Sequence, residues 1–403
     1  MEKQKRFKQT EVGIIPNDWE VKKLSEISTF ENGKAHEQFI DDKGEFIVIN
    51  SKFISTEGQV QKSSNKYLSP LQKGNIAIVM SDIPNGKALA KCFLVDKDNL
   101  YTLNQRIGCI KANEEIDNEY LFYKLNRNQY FLAFDSGSGQ TNLKKSEIQD
   151  CPVALPPAKT EQTAIATVLH DADALISSVE KLIAKKRSIK QGAMQELLKP
   201  KAGWEVKKLG EVAILKARIG WQGLTTAEYR KSGDYFLITG TEFKNGFIDW
   251  ENCVYVDEER YKQDKNIQIR EHDVLVTKDG TIGKVALIKS VPKPATLNSG
   301  VFVIRPINYS FYSDFFYYLL LSEVFLTFLS QLSAGSTINH LYQKDFVSFQ
   351  FLTPKTIEEQ QRIVQILSDM DAEIDALERK LEKYRLIKQG MMQNLLTGRI
   401  RLV

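Results

Sequence analysis

The feature that most constrains the fold of this 403-residue chain is a helical phrase that occurs twice. The sequence SIKQGAMQELL at residues 188–198 returns as LIKQGMMQNLL at residues 386–396. Upstream, WEVKKLSEI at Trp19 returns as WEVKKLGEV at Trp204. Repetition over this distance indicates two copies of one structural unit. We therefore predict a globular block followed by a long helix, twice over.

Both helical segments carry apolar residues at alternating steps of three and four, and lysines interrupt the series in places. A seam with this period predicts a coiled coil. Each helix is predicted to contain about 40 residues and to be about 60 Å long. Because a globular block separates the helices, we expect the chain to return and pair them antiparallel, with a pseudo-two-fold axis between the copies. The seam residues predicted to hold this coiled coil and to bind partners are Ile165, Leu169, Ile176, Val179, Ile183, Ile363, Leu367, Ile374, Leu377 and Leu381.

The globular blocks are predicted to be mixed α/β (α+β) domains. Residues 45–54 and 234–243 have the β-branched and aromatic composition of strands. Residues 74–90 and 272–288 fit the pattern strand, glycine-containing turn, strand. The aromatic segments near Tyr120 and Phe315 are predicted to be short helices that pack on the sheet. The predicted domains are residues 1–155 and 200–353, and the predicted helical regions are residues 156–199 and 354–403.

Composition excludes several classes of protein. Four cysteines and four histidines are scattered without a CxxC pair, so we expect free thiols and no metal site. The polar N-terminus does not have the pattern of a signal peptide, and the apolar run at residues 315–321 is too short to cross a bilayer. A cytoplasmic location without membrane contact is the prediction. Lys and Arg outnumber Asp and Glu by 55 to 51, which permits an anionic partner.

Two related domains on a spacer suit a ligand with matching symmetry. Half-sites on B-DNA lie roughly 34–36 Å apart for symmetric readers, and both domains carry loops that combine small polar residues with cations. Lysine neutralises phosphate, and polar side chains read base edges. A duplicated scaffold that binds two proteins is the alternative. The residues predicted to contact DNA are Asn50, Lys52, Ser81, Lys87, Asn104, Gln105, Arg106, Gln140, Asn142, Thr239, Thr241, Lys244, Lys278, Thr281, Lys284, Asn298, Ser336 and Asn339.

The ordered, duplicated motifs make the chain resemble the specificity subunit of type I restriction–modification systems over essentially its whole length. The motifs that carry the resemblance are GWEVKKLGE, DVLVTKDGTIGKVAL, LPP with a following EQ, LTP with a following EQQRIVQIL, and the terminal IKQGMMQNLLTGRIRL. The resemblance implies that each domain reads one half of a bipartite site in double-stranded DNA. It also implies that the helices set the gap and dock two methyltransferase subunits, with restriction subunits completing the complex that methylates adenine N6 or cleaves DNA.

No catalytic residue and no cofactor are predicted. The chain has no FxGxxG motif followed by NPPY or DPPY, the pattern of an adenine methyltransferase. DGTIGK at residues 279–284 lacks the P-loop spacing. DWEVK at residues 18–22 recurs as GWEVK without the aspartate, so it is predicted to be a packing motif rather than a nuclease motif. A specificity chain for a fused restriction–methyltransferase of another type remains a second interpretation.

Overall fold

The chain divides into two compact units. Unit 1 comprises Met1–Glu180 and Arg379–Val403, and unit 2 comprises Lys181–Glu378. Each unit therefore contains one globular block and one segment of each long helix. The computed structural model describes residues 7–83, 86–135, 137–333 and 340–402.

Unit 1 contains thirteen short strands and five short helices among its described residues, followed by the first long helix. The strands are β1 (Phe7–Thr10), β2 (Gly13–Pro16), β3 (Glu20–Lys23), β4 (Ser28–Asn32), β5 (Phe46–Ile49), β6 (Ser63–Ser64), β7 (Ile76–Val79), β8 (Ser81–Asp82), β9 (Cys92–Leu94), β10 (Tyr101–Leu103), β11 (Ile107–Ala112), β12 (Thr141–Asn142) and β13 (Pro152–Leu155). The helices are α1 (Leu24–Ile27), α2 (Ser51–Ser55), α3 (Asn118–Leu125), α4 (Gln129–Leu132), α5 (Lys145–Gln149) and the long α6 (Lys159–Leu197).

Unit 2 follows the same plan and leads into the second long helix. Its strands are β14 (Glu205–Lys208), β15 (Ala213–Ala217), β16 (Tyr235–Ile238), β17 (Phe243–Lys244), β18 (Phe247–Ile248), β19 (Val254–Val256), β20 (Val274–Thr277), β21 (Val285–Leu287), β22 (Ala295–Leu297), β23 (Val301–Pro306) and β24 (Gln350–Thr353). Its helices are α7 (Leu209–Val212), α8 (Glu258–Lys262), α9 (Ser313–Leu320), α10 (Glu323–Ser333), α11 (Gln343–Phe346) and the long α12 (Ile357–Leu395).

The sheets of the two units have the same topology, which confirms the repeat. The four-stranded sheet has the order β4-β11-β7-β9 in unit 1 and β15-β23-β20-β21 in unit 2, and it is antiparallel throughout in both. A second sheet pairs β10 parallel to β5, and its counterpart pairs β22 parallel to β16. Each unit is thus the predicted mixed α/β domain.

The predicted strand over residues 45–54 is wrong in its second half. β5 ends at Ile49, and α2 begins at Ser51. The Asn50 side chain accepts a hydrogen bond from the Phe53 N–H at 2.9 Å and so caps the helix. The cap supplies a local partner for a backbone donor, so the chain turns away from the sheet after Ile49.

The predicted strand–turn–strand over residues 74–90 also ends differently. β7 pairs with a second strand, but that strand is β9, which begins at Cys92. Asp82 stabilises the residues between these strands, because its carboxylate accepts hydrogen bonds from the N–H groups of Ile83, Ala88 and Leu89 at 2.7–3.0 Å. The equivalent prediction over residues 272–288 is confirmed by the antiparallel pair β20 and β21.

The main core of each unit joins its sheet to the long helices. In unit 1, Tyr120 on α3 packs in one buried cluster with Ile165 and Leu169 of α6 and with Leu395 of α12. In unit 2, the aromatic helix α9 lies in the corresponding cluster with residues such as Leu367 of α12. The short aromatic helices are therefore core helices, as predicted.

Each long helix contains 39 residues, and within each unit the two helical segments run antiparallel. In unit 1, Glu180 pairs with Arg385 and Asp173 pairs with Lys388. Residue numbers therefore fall along the segment of α6 as they rise along the segment of α12. In unit 2, Lys186 pairs with Glu373 and Lys190 pairs with Asp371 in the same sense. The predicted antiparallel pairing is confirmed in both units.

Candidate nucleic-acid interface

In unit 1, several predicted contact residues lie at the carboxyl ends of the parallel strands β5 and β10. Asn50 follows β5, and the turn Asn104–Arg106 follows β10. The Asn104 N–H donates to the Ile49 carbonyl at 3.0 Å, which ties the two strand ends together. Gln105 and Arg106 are exposed, and Arg106 has a φ of 71°, which turns the chain sharply into β11. Four polar or cationic residues are thus gathered at one edge.

Ser81, Gln140 and Asn142 meet beside this turn. Ser81 and Asn142 are register partners in the short ladder of β8 and β12, and Gln140 Nε2 donates to Ser81 Oγ at 2.5 Å. The Met80 N–H donates to the Arg106 carbonyl, which joins this ladder to the turn after β10. Residues as far apart in the sequence as Asn50 and Asn142 therefore form one polar edge.

The two lysines of the unit 1 prediction are both exposed. Lys52 is the second residue of α2, and Lys87 lies on the turn that Asp82 stabilises. Their ammonium groups are therefore available to a phosphate backbone.

In unit 2, the equivalent edge lies at the carboxyl ends of β16 and β22. Thr239 and Thr241 follow β16, but both hydroxyls bond to the buried carboxylate of Glu242, at 2.8 and 2.9 Å. Glu242 also accepts from the N–H groups of Thr239 and Gly240. These threonines build the turn, and their hydroxyl oxygens retain acceptor capacity.

Asn298, which follows β22, is occupied by the protein itself. It is 8% exposed, its Oδ1 accepts from the N–H groups of Leu224 and Ser299, and its Nδ2 donates to the Leu224 carbonyl and the Tyr229 hydroxyl. It occupies the position of Asn104, since both residues follow the second parallel strand and donate their N–H to the end of the first. In this conformation the Asn298 amide holds a loop of its own unit, and its contact with DNA stays a prediction.

The cationic positions of unit 2 are spread over two turns. Lys284 and Thr281 are exposed in the turn between β20 and β21. Lys278 is half-buried, with its ammonium 5.3 Å from the centre of the Phe302 ring. Lys244 is exposed on the hairpin of β17 and β18 and pairs with Asp249 at 3.2 Å. Ser336 and Asn339 lie outside the described residues.

The helix residues of the prediction serve two purposes. Two of them, Ile165 and Leu169, are buried in the core of unit 1. Likewise, Ile363 and Leu367 are buried in the core of unit 2. These four side chains therefore pack against the domain of their own unit. The remaining seam residues are buried or half-buried along the paired segments: Ile176, Val179, Ile183, Ile374, Leu377 and Leu381.

The prediction missed the apolar side chains that the helices expose. The exposed side chains are Leu175, Leu386 and Ile387 in unit 1, and Leu182, Ile189 and Ile366 in unit 2. Spacing of seven residues from Leu175 to Leu182 to Ile189 was a signal in the sequence, because it defines a second apolar stripe on the first helix.

The prediction also missed an exposed aromatic residue at the edge of unit 2. Trp221 is 81% exposed, on a short loop after β15, and Ile219 beside it is 53% exposed. The phrase RIGWQGL at residues 218–224 contained the signal, since two large apolar residues, Ile219 and Trp221, flank a glycine.

Among the described residues no cluster of three or more His, Cys, Asp or Glu could hold a metal ion. The four cysteines are free, and burial raises the pKa of the Cys109, Cys151 and Cys253 thiols to about 12. Within the same ranges no single helix is long and apolar enough to span a membrane; Ser313–Leu320 and Glu323–Leu332 together reach the length but bend by 60°.

Comparison with known proteins identifies the class. The family model described as the type I restriction modification DNA specificity domain matches residues 16–187 and 201–384, once in each copy of the repeat. The chain belongs to this family. The MjaVIII type I restriction enzyme specificity subunit of Methanocaldococcus jannaschii is 26% identical over 426 residues, which cover 99% of this chain and 97% of that protein.

Solved structures share the fold. The crystal structure of the S subunit of a type I restriction–modification system from M. genitalium has a TM-score of 0.62 at 17% identity, and covers 94% of this chain and 96% of that one. A chain from a study of complex assembly and conformational transition in the type I system has a TM-score of 0.54 at 17% identity, and covers 96% and 99%.

Proposed function

We propose that this chain is the DNA specificity subunit of a type I restriction–modification complex. The observation that carries the proposal is the duplicated edge: two domains with one sheet topology present different polar and cationic side chains at the same pair of strand ends. Identical frameworks with different loops suit two related but distinct ligands, and the two halves of an asymmetric bipartite DNA site are such ligands.

Residues 1–155 and 200–353 are proposed to be the two target recognition domains. Lysines such as Lys52, Lys87 and Lys284 neutralise phosphates and position each domain. Gln105, Arg106 and Gln140 read base edges in the first half-site, because amide and guanidinium groups make paired hydrogen bonds to purines.

Residues 156–199 and 354–403 are proposed to set the gap between the half-sites and to dock two methyltransferase subunits. The exposed side chains of Leu175, Leu386 and Ile387, and of Leu182, Ile189 and Ile366, supply apolar surface for the docking helices. Restriction subunits complete the complex. The partner flips an adenine out of the duplex for methylation at N6, and this chain contributes recognition without a catalytic group or a cofactor.

The test begins with the chain in complex with its methyltransferase subunits. Sequencing of methylated adenines in the host identifies the recognised motif, and binding of a duplex with that motif is measured against salt concentration. We expect a bipartite motif and a strong salt dependence, and Lys284→Ala should lower the slope of log K against log salt by about one.

The matched control is Lys201→Ala, at an exposed lysine in the connection that leads into β14. It should leave the slope unchanged. A complex that forms with the methyltransferase but binds duplex DNA without salt dependence and without sequence preference would instead indicate a protein-binding scaffold.

A further inference from the structure

The loop between β15 and Leu224 presents two large apolar side chains to solvent. It forms a single 3-10 turn, Gly220–Gln222, in which the Gly223 N–H donates to the Gly220 carbonyl at 3.0 Å. Trp221 at its tip is 81% exposed, and Ile219 is 53% exposed. Single exposed apolar residues are common on protein surfaces, so the loop has to be judged by how it is held and by what surrounds it.

The loop is anchored at both ends. At its start, Arg218 is 1% exposed: its guanidinium donates to the Leu297 carbonyl at 2.8 Å, the Gln263 side chain at 2.8 Å, and both the Arg260 carbonyl and Thr296 Oγ1 at 3.2 Å. At its end, Leu224 is buried and its N–H and carbonyl are both bonded by the Asn298 amide. Five residues between two fixed points have little conformational freedom.

The anchor at Arg218 is a buried positive charge. Its hydrogen-bond acceptors are carbonyl, amide and hydroxyl oxygens rather than a carboxylate, and burial together with the neighbouring Arg260 lowers its pKa. Removing a guanidinium from water without an opposite charge in contact destabilises a domain. Unit 2 therefore fixes this loop with a buried guanidinium whose four hydrogen bonds go to neutral oxygens.

Unit 1 has a buried residue where unit 2 has the exposed Trp221. At the position equivalent to Trp221, counted from β4 and β15, stands His36, which is fully buried. His36 Nε2 bonds to Thr102 Oγ1 at 2.8 Å, and in unit 2 the equivalent Thr296 is bonded by Arg218 instead. Because Arg218 takes over the bond, the loop of unit 2 is released from the core and can project an indole.

The loop lies at the edge that carries the proposed DNA contacts of unit 2. Asn298, which clamps Leu224, follows β22, and Gly223 packs against Ser299 so closely that an added Cβ would lie 3.0 Å from Ser299 Oγ. The next residue, Gly300, accepts a hydrogen bond from the Lys278 N–H. The loop that carries Trp221 therefore lies next to the residues that bond the turn of Lys278 and Lys284, where phosphates are proposed to bind.

We propose that Trp221, supported by Ile219, inserts as a wedge between two base pairs of the half-site that unit 2 reads. The inference rests on the proposed function and adds a specificity mechanism to it. Apolar wedges unstack a base step and kink the duplex, and the cost depends on the step. Flexible pyrimidine–purine steps deform most readily, so Trp221 selects for such a step without a hydrogen bond to a base.

The test uses the complex with methyltransferase subunits and a duplex that carries the motif found by methylation sequencing. Trp221→Ala should weaken binding by roughly 10- to 100-fold, the range found for loss of one stacked base. Trp221→Phe should weaken it much less. A 2-aminopurine placed at successive steps of the second half-site should brighten at one step with the wild-type chain and lose that signal with Trp221→Ala.

The matched control is Tyr309→Ala. Tyr309 is 88% exposed in the same unit, but it follows the carboxyl end of β23, whereas Gly223 of the loop packs against Ser299, before that strand begins. It should leave binding unchanged, and equal thermal midpoints should show that all three variants are folded. Wild-type affinity and wild-type 2-aminopurine signals in Trp221→Ala would overturn the wedge while leaving the proposed function intact; a wild-type complex that binds no duplex would overturn both.

Discussion

At the scale of single residues, equivalent positions in the two units carry different chemistry. Asn104 and Asn298 follow equivalent strands. The Oδ1 and Nδ2 atoms of Asn298 both bond to Leu224 in a neighbouring loop, and Nδ2 also donates to the Tyr229 hydroxyl. Lys124 on α3 corresponds to Leu319 on α9, which is 1% exposed in an apolar core. The same helix position therefore holds a lysine in unit 1 and a leucine in unit 2, and the backbone is the same in both.

Lys124 provides a prediction about pH. Its ammonium donates to the Leu396 carbonyl at the end of α12, and burial lowers its pKa from 10.5 to about 8. The folded chain binds this proton less tightly than the unfolded chain, so the contribution of Lys124 to stability rises as the pH increases from about 8 to 10.5. Lys124→Met removes that dependence. We expect the variant to gain stability over the wild type at pH 7 and to lose the advantage towards pH 10.

The measurement is urea unfolding between pH 7 and 10, followed by hydrogen exchange of the α3 amides. Lys185→Met, at an exposed position of α6, is the control and should differ from the wild type by a constant amount. A stability difference between Lys124→Met and the wild type that does not change with pH would contradict the prediction.

At the scale of elements, the lysines that interrupt the predicted seam have a structural explanation. In unit 1, Asp173 of α6 pairs with Lys388 of α12 and accepts from the Tyr123 hydroxyl of α3 at 2.8 Å. In unit 2, Asp371 pairs with Lys190 and accepts from the Tyr318 hydroxyl at 2.7 Å. Each triad joins both long helices to the aromatic helix of its unit, so the lysine occupies a position where three elements meet.

The triad of unit 2 can be tested by a double-mutant cycle with Lys190→Ala and Asp371→Ala. Both side chains are less than one-fifth exposed, so we expect a coupling free energy of about 1–2 kcal/mol, and Asp371→Ala alone should cost more because the Tyr318 hydroxyl also loses its acceptor. The control is the more exposed pair Arg187–Glu378, for which the coupling should stay below about 1 kcal/mol. Equal couplings in the two cycles would argue against the triad.

At the scale of the whole molecule, unit 1 is closed by residues from both ends of the described chain. Arg401 makes a bidentate pair with Asp18 at 2.9 Å, bonds the buried Glu161 and lies 5.8 Å above the Trp19 ring. These hydrogen bonds hold the pKa of Asp18 below its ordinary value. Gly398, at a φ of 69°, packs so closely that a Cβ would lie 2.5 Å from Pro16. In unit 2 the end of a long helix is held beside the domain by the chain itself, because α6 continues directly into β14.

The proposed role of the helices as a spacer leads to a prediction for the whole complex. Four residues inserted between Glu180 and Lys181, and four between Glu378 and Arg379, add about 6 Å to each helix and keep the apolar seam nearly in phase. Methylation sequencing should then report the same two half-sites with a gap longer by roughly two base pairs, at 3.4 Å per pair. Insertion into α6 alone is the control and should abolish methylation. An unchanged gap in the double insertion would refute the spacer role.

Sequence reasoning reached the repeat, the long helices and their antiparallel pairing, because these depend on periodicity and on chain length. It did not reach the role of Gln162 and Gln360, both buried, whose side chains bond the N–H groups of Asp117 and Tyr312 and the carbonyls of the prolines before each helix. A glutamine in a helical pattern is ordinarily a surface residue, and the N–H groups that these two glutamines accept from lie 45 and 48 positions away.

The sequence by itself determined two copies of an α/β domain, each followed by a helix long enough to need a partner, since an apolar seam of that length must be covered in water. Only the tertiary structure decided which polar side chains face outward. Asn298 matched the composition of a DNA-contact loop, yet its amide bonds to Leu224 and Tyr229, which lie 74 and 69 positions away. Trp221 matched no such pattern and is exposed. Burial and hydrogen bonding of this kind depend on contacts between distant residues, so a local pattern indicates them only in part.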